Sequence, residues 1–282
     1  MTPSGLTTMP LATMEIDFLK QLIACRSGNV ISSNQDYLLE SRLLPVAKSA
    51  GLANVNALVA ELRKQTNGLL PERVAEAMTI NETSFFRDMA PFEALRSNVI
   101  PYMLQARSAT KALNIWCGAS SSGQEPYTIG ITLREYFNEL GAWNVKIHAT
   151  DLSEEMVKRT QDGTYSQFEV NRGLPAQMLL KHFERSGNSW RARPELRKMI
   201  DARRMNLTGP WPTTTQYDIV FLRNVMIYFD QPTKEQILKR IHKVLRPDGY
   251  LFLGGGETLI TLNVPFTRET IGKTVCFRPV AV

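Results

Sequence analysis

The sequence predicts a small all-α domain followed by an α/β domain built on a parallel, doubly wound, Rossmann-like sheet. Up to about Met89, apolar residues recur at spacings of three and four, as in Phe18, Leu19, Leu22, Ile23 and in Leu58, Val59, Leu62, which is one face of a helix repeated. After Lys111, short apolar runs alternate with amphipathic stretches, the pattern of parallel strands joined by helices. A chain of 282 residues suits two cores better than one.

Residues 1–13, rich in Thr, Pro and Met without period, read as a flexible tail. Residues 14–90 form the helical domain. Within it Asn34 and Gln35 precede the run Tyr37, Leu38, Leu39, Leu43, Leu44, and Gly51 marks a stop. Residues 91–110 read as a linker helix and 111–282 as the α/β domain. There Ala112 to Cys117 is a strand ending at Gly118, and Pro126 to Leu140 is a helix. Val145 to Ala149 is a second strand, with Ser153 as N-cap of a helix over 154–161. Tyr217 to Leu222 is a third strand, and Thr233 to Leu245 a helix ended by the turn Arg246-Pro247-Asp248-Gly249 ahead of the strand Tyr250 to Leu253. Residues 171–204 hold too few apolar positions for another helix and strand, so a small inserted antiparallel β-subdomain is predicted there.

Composition narrows the function classes. With 43% hydrophobic and 21% charged residues the chain is an ordinary folded one, neither disordered nor fibrous. No run approaches the ~18 apolar residues of a membrane span, and the first fifteen residues lack a leader pattern, so a cytoplasmic protein is expected. Cys25, Cys117 and Cys276 are an odd number with no C-x-x-C pair, and His148, His182 and His242 lack ligand spacing, so neither a disulfide nor a metal is expected. Residues 1–90 carry eight Lys/Arg against nine Asp/Glu, which places the net +6 downstream. Lys181 to Arg204 holds eight basic residues against three acidic ones. Such a segment either meets an anionic partner or forms a solvated face of ion pairs.

The loop Gly118-Ala-Ser-Ser-Ser-Gly123-Gln-Glu follows a strand and opens a helix, where small residues let a backbone approach a nucleotide. It is neither a P-loop nor a G-x-G-x-x-G fingerprint. Glu125 at the helix start disfavours a phosphate and suits a cationic ligand; it would also simply complement the helix dipole. Asp151 ends the second strand, the place of a ribose-binding acid in Rossmann-like folds, or of a helix cap. Asn206, Leu207, Arg223 and Asn224 end further segments that converge on the same crevice. The segment Asn81-Glu-Thr-Ser-Phe-Phe-Arg87 sets two adjacent Phe among polar groups, which one helix face cannot accommodate.

The strings NETSFFR at 81–87, SSGQEPYTI at 121–129, ATDLS at 149–153 and LRNVMIYFD at 222–230, with VLRPDGYLFLGGGET after them, resemble the CheR family of chemotaxis receptor methyltransferases. The resemblance spans about residues 15–278 in order. It implies a class I S-adenosylmethionine-dependent methyltransferase domain carrying a small antiparallel subdomain behind an all-α domain. It further implies transfer of a methyl group to glutamate side chains on the helical bundle of a methyl-accepting chemotaxis receptor. It implies cofactor contacts from Asn81, Thr83, Arg87, Glu125, Asp151, Asn206, Leu207, Arg223 and Asn224, with Arg87 and Tyr228 nearest the transferred methyl. Gln124 departs from relatives that carry a second acid there. The hairpin between Arg185 and Arg193 is shorter than in relatives that grip a tethering peptide, which argues against peptide-tethered recruitment; a monomer is expected.

A carboxylate with a pKa of ~4.3 is already ionised at neutral pH, so such a transfer needs no general base. Two rivals are weighed. A nucleic-acid methyltransferase would suit the pI near 9.3, but Arg-Asn-Val-Met stands where base methylation usually has [DN]-P-P-[YF]. A non-catalytic adaptor that binds S-adenosylmethionine is disfavoured by intact Arg87 and Tyr228.

Overall fold

The computed structural model describes residues 11–65, 67–211 and 215–281, so most of the tail read over 1–13 lies outside the described residues. The chain divides into two units, Met1–Ile80 with Tyr228–Asp230, and Asn81–Ile227 with Gln231–Val282.

In the first unit, α1 (Thr13–Ser27), α2 (Tyr37–Ser49), α3 (Val55–Lys64) and α4 (Leu69–Ala77) pack around one core. Its members keep the sequence spacing: Leu19, Leu22, Ile23 from α1, Leu39, Leu43, Ala47 from α2, and Val55, Leu58, Val59, Leu62 from α3. Asn54 caps α3 by accepting the Ala57 N–H at 2.9 Å.

The second unit opens with α5 (Ala90–Ala94), a π-helical turn over Leu95–Val99, and α6 (Ile100–Ala106). The linker reading of this stretch gives way to a structural one, because Phe92, Leu95, Val99, Ile100 and Met103 all lie in the core of this unit. There follow β1 (Ala112–Gly118), α7 (Gln124–Tyr136), β2 (Asn144–Asp151), α8 (Glu154–Asp162), β3 (Thr164–Ser166), α9 (Gln167–Asn171), α10 (Ala176–His182), β4 (Phe183–Ser186) and β5 (Ser189–Ala192). The chain ends with α11 (Pro194–Arg197), β6 (Ile200–Arg204), β7 (Tyr217–Leu222), α12 (Gln231–Val244), β8 (Leu245–Leu253), β9 (Phe266–Ile271) and β10 (Thr274–Pro279).

The main sheet has the order β6-β2-β1-β7-β8-β10-β9. Its first five strands are parallel, as the alternation of strands and helices requires. The last two, which lie beyond the strands expected from the sequence, are antiparallel, because only two residues, Gly272 and Lys273, separate Ile271 from its partner Thr274. A connection that short joins antiparallel neighbours only.

The inserted subdomain is the antiparallel sheet β3-β5-β4. It begins at Thr164, before the expected 171, and it stops before Ile200–Arg204, which pair with β2 as the parallel edge of the main sheet. That edge strand was hard to see because only one of its faces is buried: Ala202, with partly buried Ile200 beside it, packs on Ala149 and Val157, while Asp201 and Arg203 alternate outward and Arg204 at its end is exposed.

Four of the eight basic residues of the segment form ion pairs among the described residues. Lys181 pairs with Glu135, Arg191 with Asp162, Arg193 with Glu184 and Arg203 with Asp201, and the Arg185 guanidinium lies 4.6 Å from the Trp190 ring centre. Glu184 and Asp201 belong to the segment itself, so it keeps a net positive charge.

At the amino end of the sheet Arg107 clamps two carboxylates. Its Nε donates to Asp218 Oδ1 at 2.7 Å, and its Nη atoms to both oxygens of Asp248 at 2.8 and 2.5 Å. Asp218 is 1% exposed on β7 and also accepts the Asn114 N–H at 2.8 Å. Arg107→Ala removes these bonds and leaves buried Asp218 with the Asn114 amide and Arg246, whose Nε lies 3.2 Å from Oδ1, and a loss of about 3 kcal/mol is expected in denaturant unfolding. The same bonds hold the Asp248 carboxyl below its usual range. Its contribution is therefore full at neutral pH and drains as pH falls through that lowered value. The variant should lose this part of the acid sensitivity.

Candidate active site

The parallel register sets the carboxyl ends of the strands level. Gly118 pairs with Thr150, Asp151 with Arg204, and Cys117 with Phe221 near the end of β7. Beyond these ends lie the loop 118–123, Asp151, Asn206–Leu207 and Arg223–Asn224, which is where open α/β sheets bind ligands.

The segment 81–88 is built into the same edge, and its two phenylalanines explain how. Phe85 enters the aromatic cluster of the subdomain, 5.0 Å from Tyr165 and 5.7 Å from Phe183 between ring centres. Phe86 turns the other way onto Phe92, at 5.9 Å, with a φ of 49°. Its N–H donates to Thr128 Oγ1 on α7 at 3.1 Å. Gly173 lies so close that a Cβ there would sit 2.0 Å from the Phe85 carbonyl oxygen. Opposed anchors on two clusters hold a stretch that neither helix nor strand could hold.

Two polar chains then join the expected residues. In the first, Ser121 Oγ donates to the Asn81 carbonyl at 2.8 Å, and the Ser121 N–H donates to Asp151 Oδ2 at 2.7 Å. The other Asp151 oxygen accepts the Ser153 N–H at 2.9 Å. In the second, Arg223 Nη1 donates to Glu125 Oε2 at 2.5 Å, while Nη2 donates to the Arg87 carbonyl and to Asp88 Oδ2, both at 2.9 Å. The Arg223 side chain is 1% exposed and Glu125 14%. Arg223 is thus a buried hub under the crevice whose side chain is spent on the protein. Arg87 is half-buried and donates through Nη1 to the Glu82 carbonyl at 3.0 Å.

The remaining residues are less tightly tied. Leu207 is buried, and its carbonyl accepts the Trp211 indole N–H at 3.0 Å. Asn206 turns Oδ1 back on Thr208. Thr83 is half-buried. Gln124, 2% exposed, accepts from Ser122 Oγ at 2.8 Å, so its neutral amide serves the loop. Tyr228 ends the short turn Met226–Tyr228 and is grouped with the first unit, while the other expected site residues belong to the second. Sequence reading missed Glu257 as a site residue. Its carboxylate accepts the amides of Asn224, Val225, Met226 and Gly254, and only the quoted run GGGET pointed near it.

Burial pushes the Glu125 carboxyl above its usual range, with Arg223 drawing it back. Burial likewise pushes the nearby Cys117 thiol well up, which makes it inert as a nucleophile. Arg223→Met removes the counter-charge of a buried carboxylate, and a loss of about 3–5 kcal/mol is expected at neutral pH. A carboxyl whose folded pKa is raised stabilises the fold at low pH and stops doing so as pH rises through that value. The variant should therefore recover relative to wild type as pH is lowered, which melting curves across the weakly acidic range would show.

The profile described as CheR methyltransferase, SAM binding domain, matches residues 81–275. Chemotaxis protein methyltransferase 1 of Pseudomonas aeruginosa is 38% identical over 275 residues, covering 96% of this chain and 99% of that one. Chemotaxis protein methyltransferase Cher2 of Pseudomonas putida is 37% identical over 255 residues, covering 88% and 92%. The chemotaxis protein methyltransferase of Escherichia coli is 32% identical over 263 residues, covering 91% and 88%. Similarity this extensive, across the very strings that build the crevice, means that the chain belongs to the CheR family and is a methyltransferase that uses S-adenosylmethionine.

Proposed function

We propose that this methyltransferase esterifies glutamate side chains on the cytoplasmic helical bundle of a chemotaxis receptor, acting as a monomer in the cytoplasm and serving sensory adaptation. The observation that carries the glutamate reading is that the histidines, the usual general bases, are engaged with partners outside the crevice segments. His148 pairs with Asp201, His182 with Glu135, and His242 bonds the Val280 carbonyl, while the Cys117 thiol is buried. A hydroxyl or amine nucleophile would want a base; a carboxylate arrives ionised and wants only alignment and exclusion of water.

The residues present fit the cofactor. In a phosphate-binding loop the backbone amides face a ligand anion, whereas here the Ser121 amide is directed at the chain's own Asp151. Half-buried Glu125, paired with Arg223, adds a second carboxylate at the start of α7, a setting for a ligand without phosphate. Bound S-adenosylmethionine supplies a methyl group made electrophilic by its sulfonium. We assign its contacts to Asn81, Thr83, Arg87, Glu125, Asp151, Asn206, Leu207, Arg223 and Asn224, with Arg223 acting mainly by holding Glu125 and the backbone of 87–88. Arg87 is assigned to the incoming carboxylate through its planar donor fork. The part of Tyr228, a hydrogen-bond donor near the methyl, rests on its motif LRNVMIYFD.

With labelled cofactor and a receptor cytoplasmic fragment, label should enter glutamate as an alkali-labile methyl ester. Stable label on lysine or nucleic acid would overturn the reading. Arg87→Ala should slow transfer by about 100-fold, the scale of a misplaced reactant. In calorimetry Asp151→Ala should abolish measurable binding of S-adenosylhomocysteine, since the variant loses both the acid and the anchor of the loop at Ser121.

A further inference from the structure

The loop after β7 is shaped by a single side chain from beyond β8. Glu257 Oε1 accepts the amides of Val225 and Met226 at 3.0 and 2.7 Å, and Oε2 accepts those of Asn224 and Gly254 at 2.9 and 2.6 Å. Three successive amides turned to one point form a concavity that binds anions. Bonds from such amides to a carboxylate are about twice as strong as neutral ones. Asn224 is held with φ at 58°, a conformation unfavourable for a residue with a side chain unless its surroundings impose it. Gly254 makes the approach possible, because a Cβ there would lie 2.8 Å from both Glu257 Oε2 and Asn224 Nδ2.

We propose that Glu257 is a positioning residue for methyl transfer, an internal anion that fills the amide concavity of residues 224–226 and so fixes Arg223 and Asn224 at the crevice. The proposal rests on the assignment of Arg223 and Asn224 to the cofactor crevice. Filled by the chain itself, the concavity cannot capture the carboxylate of the cofactor or of a substrate glutamate in a useless place. Emptied, it becomes a receptor for small carboxylates from solution.

The full-length Glu257→Ala and Glu257→Gln variants test this by amide hydrogen exchange at 224–226 and 254, and by calorimetric affinity for S-adenosylhomocysteine. Each is measured in acetate and in chloride of equal ionic strength. In Glu257→Ala the four amides should exchange at least about tenfold faster and affinity should fall about tenfold, the scale of buried donors left unpaired. Acetate should restore both and chloride neither. Glu257→Gln keeps one acceptor oxygen but turns an NH2 toward the other amides, so both effects should be intermediate. It decides the matter if the alanine variant does not fold. Unchanged exchange would overturn the holding role. Faster exchange with unchanged affinity would overturn the positioning role and would also remove the loop from the cofactor crevice. Losses that acetate does not restore would overturn the internal-anion account.

Discussion

Burying a guanidinium costs several kcal/mol unless its protons find acceptors, and the carboxyl edge of this sheet is assembled around one that is 1% exposed. Arg223 satisfies its two Nη atoms with Glu125, Asp88 and the Arg87 carbonyl, and its guanidinium lies 5.6 Å from the Phe92 ring centre. Its Nε has no partner among the described residues. Three stretches far apart in sequence, the 81–88 segment, the start of α7 and the end of β7, are joined by this one group. At the opposite end of β7 Arg107 does similar work on Asp218 and Asp248. The strand between them is buried along its whole length, and past Asp218 its side chains, Ile219 to Leu222, are all apolar.

Backbone strain gathers at the same edge. Apart from Lys111, the non-glycine residues with positive φ among the described residues are Phe86, Asp88, Ala119, Ser121 and Asn224, and all five lie in crevice segments. Each such conformation costs free energy and persists only where neighbours over-determine it. Ser121 is held through Asp151 and Asn81, Asn224 through Glu257, and Phe86 through Thr128 and Phe92. The edge of the crevice is thus held by ties within the chain itself.

Much of this was legible in the residues. The strand Tyr217–Leu222 announces itself because both of its faces are buried, Val145–Ala149 because Ile147 and Ala149 are buried while Lys146 between the apolar positions is exposed, and Ser153 does cap α8, accepting the Met156 N–H at 3.3 Å. The edge strand Ile200–Arg204 was hidden because half of it faces solvent. The antiparallel turn at the end was hidden because pairing direction depends on a two-residue connection and not on periodicity. The convergence of Asp151 and Arg223 on one edge followed from strand ends alone. The roles of Arg223 and Glu257 did not, since whether a charged side chain faces a ligand or its own backbone depends on neighbours 98 and 31 residues away.

The splitting of Phe85 and Phe86 onto two clusters also bears on how the molecule comes into being and how it can change. Phe85 is synthesised some eighty residues before Tyr165 and nearly a hundred before Phe183, the rings that receive it. The strap that borders the crevice therefore has its packing partners only once the insertion has been made. The tip of the β4–β5 hairpin, at Gly187, has open space around it, while the ring-bearing inner face of the insertion holds the strap, so a change to those rings reaches the crevice through Phe85.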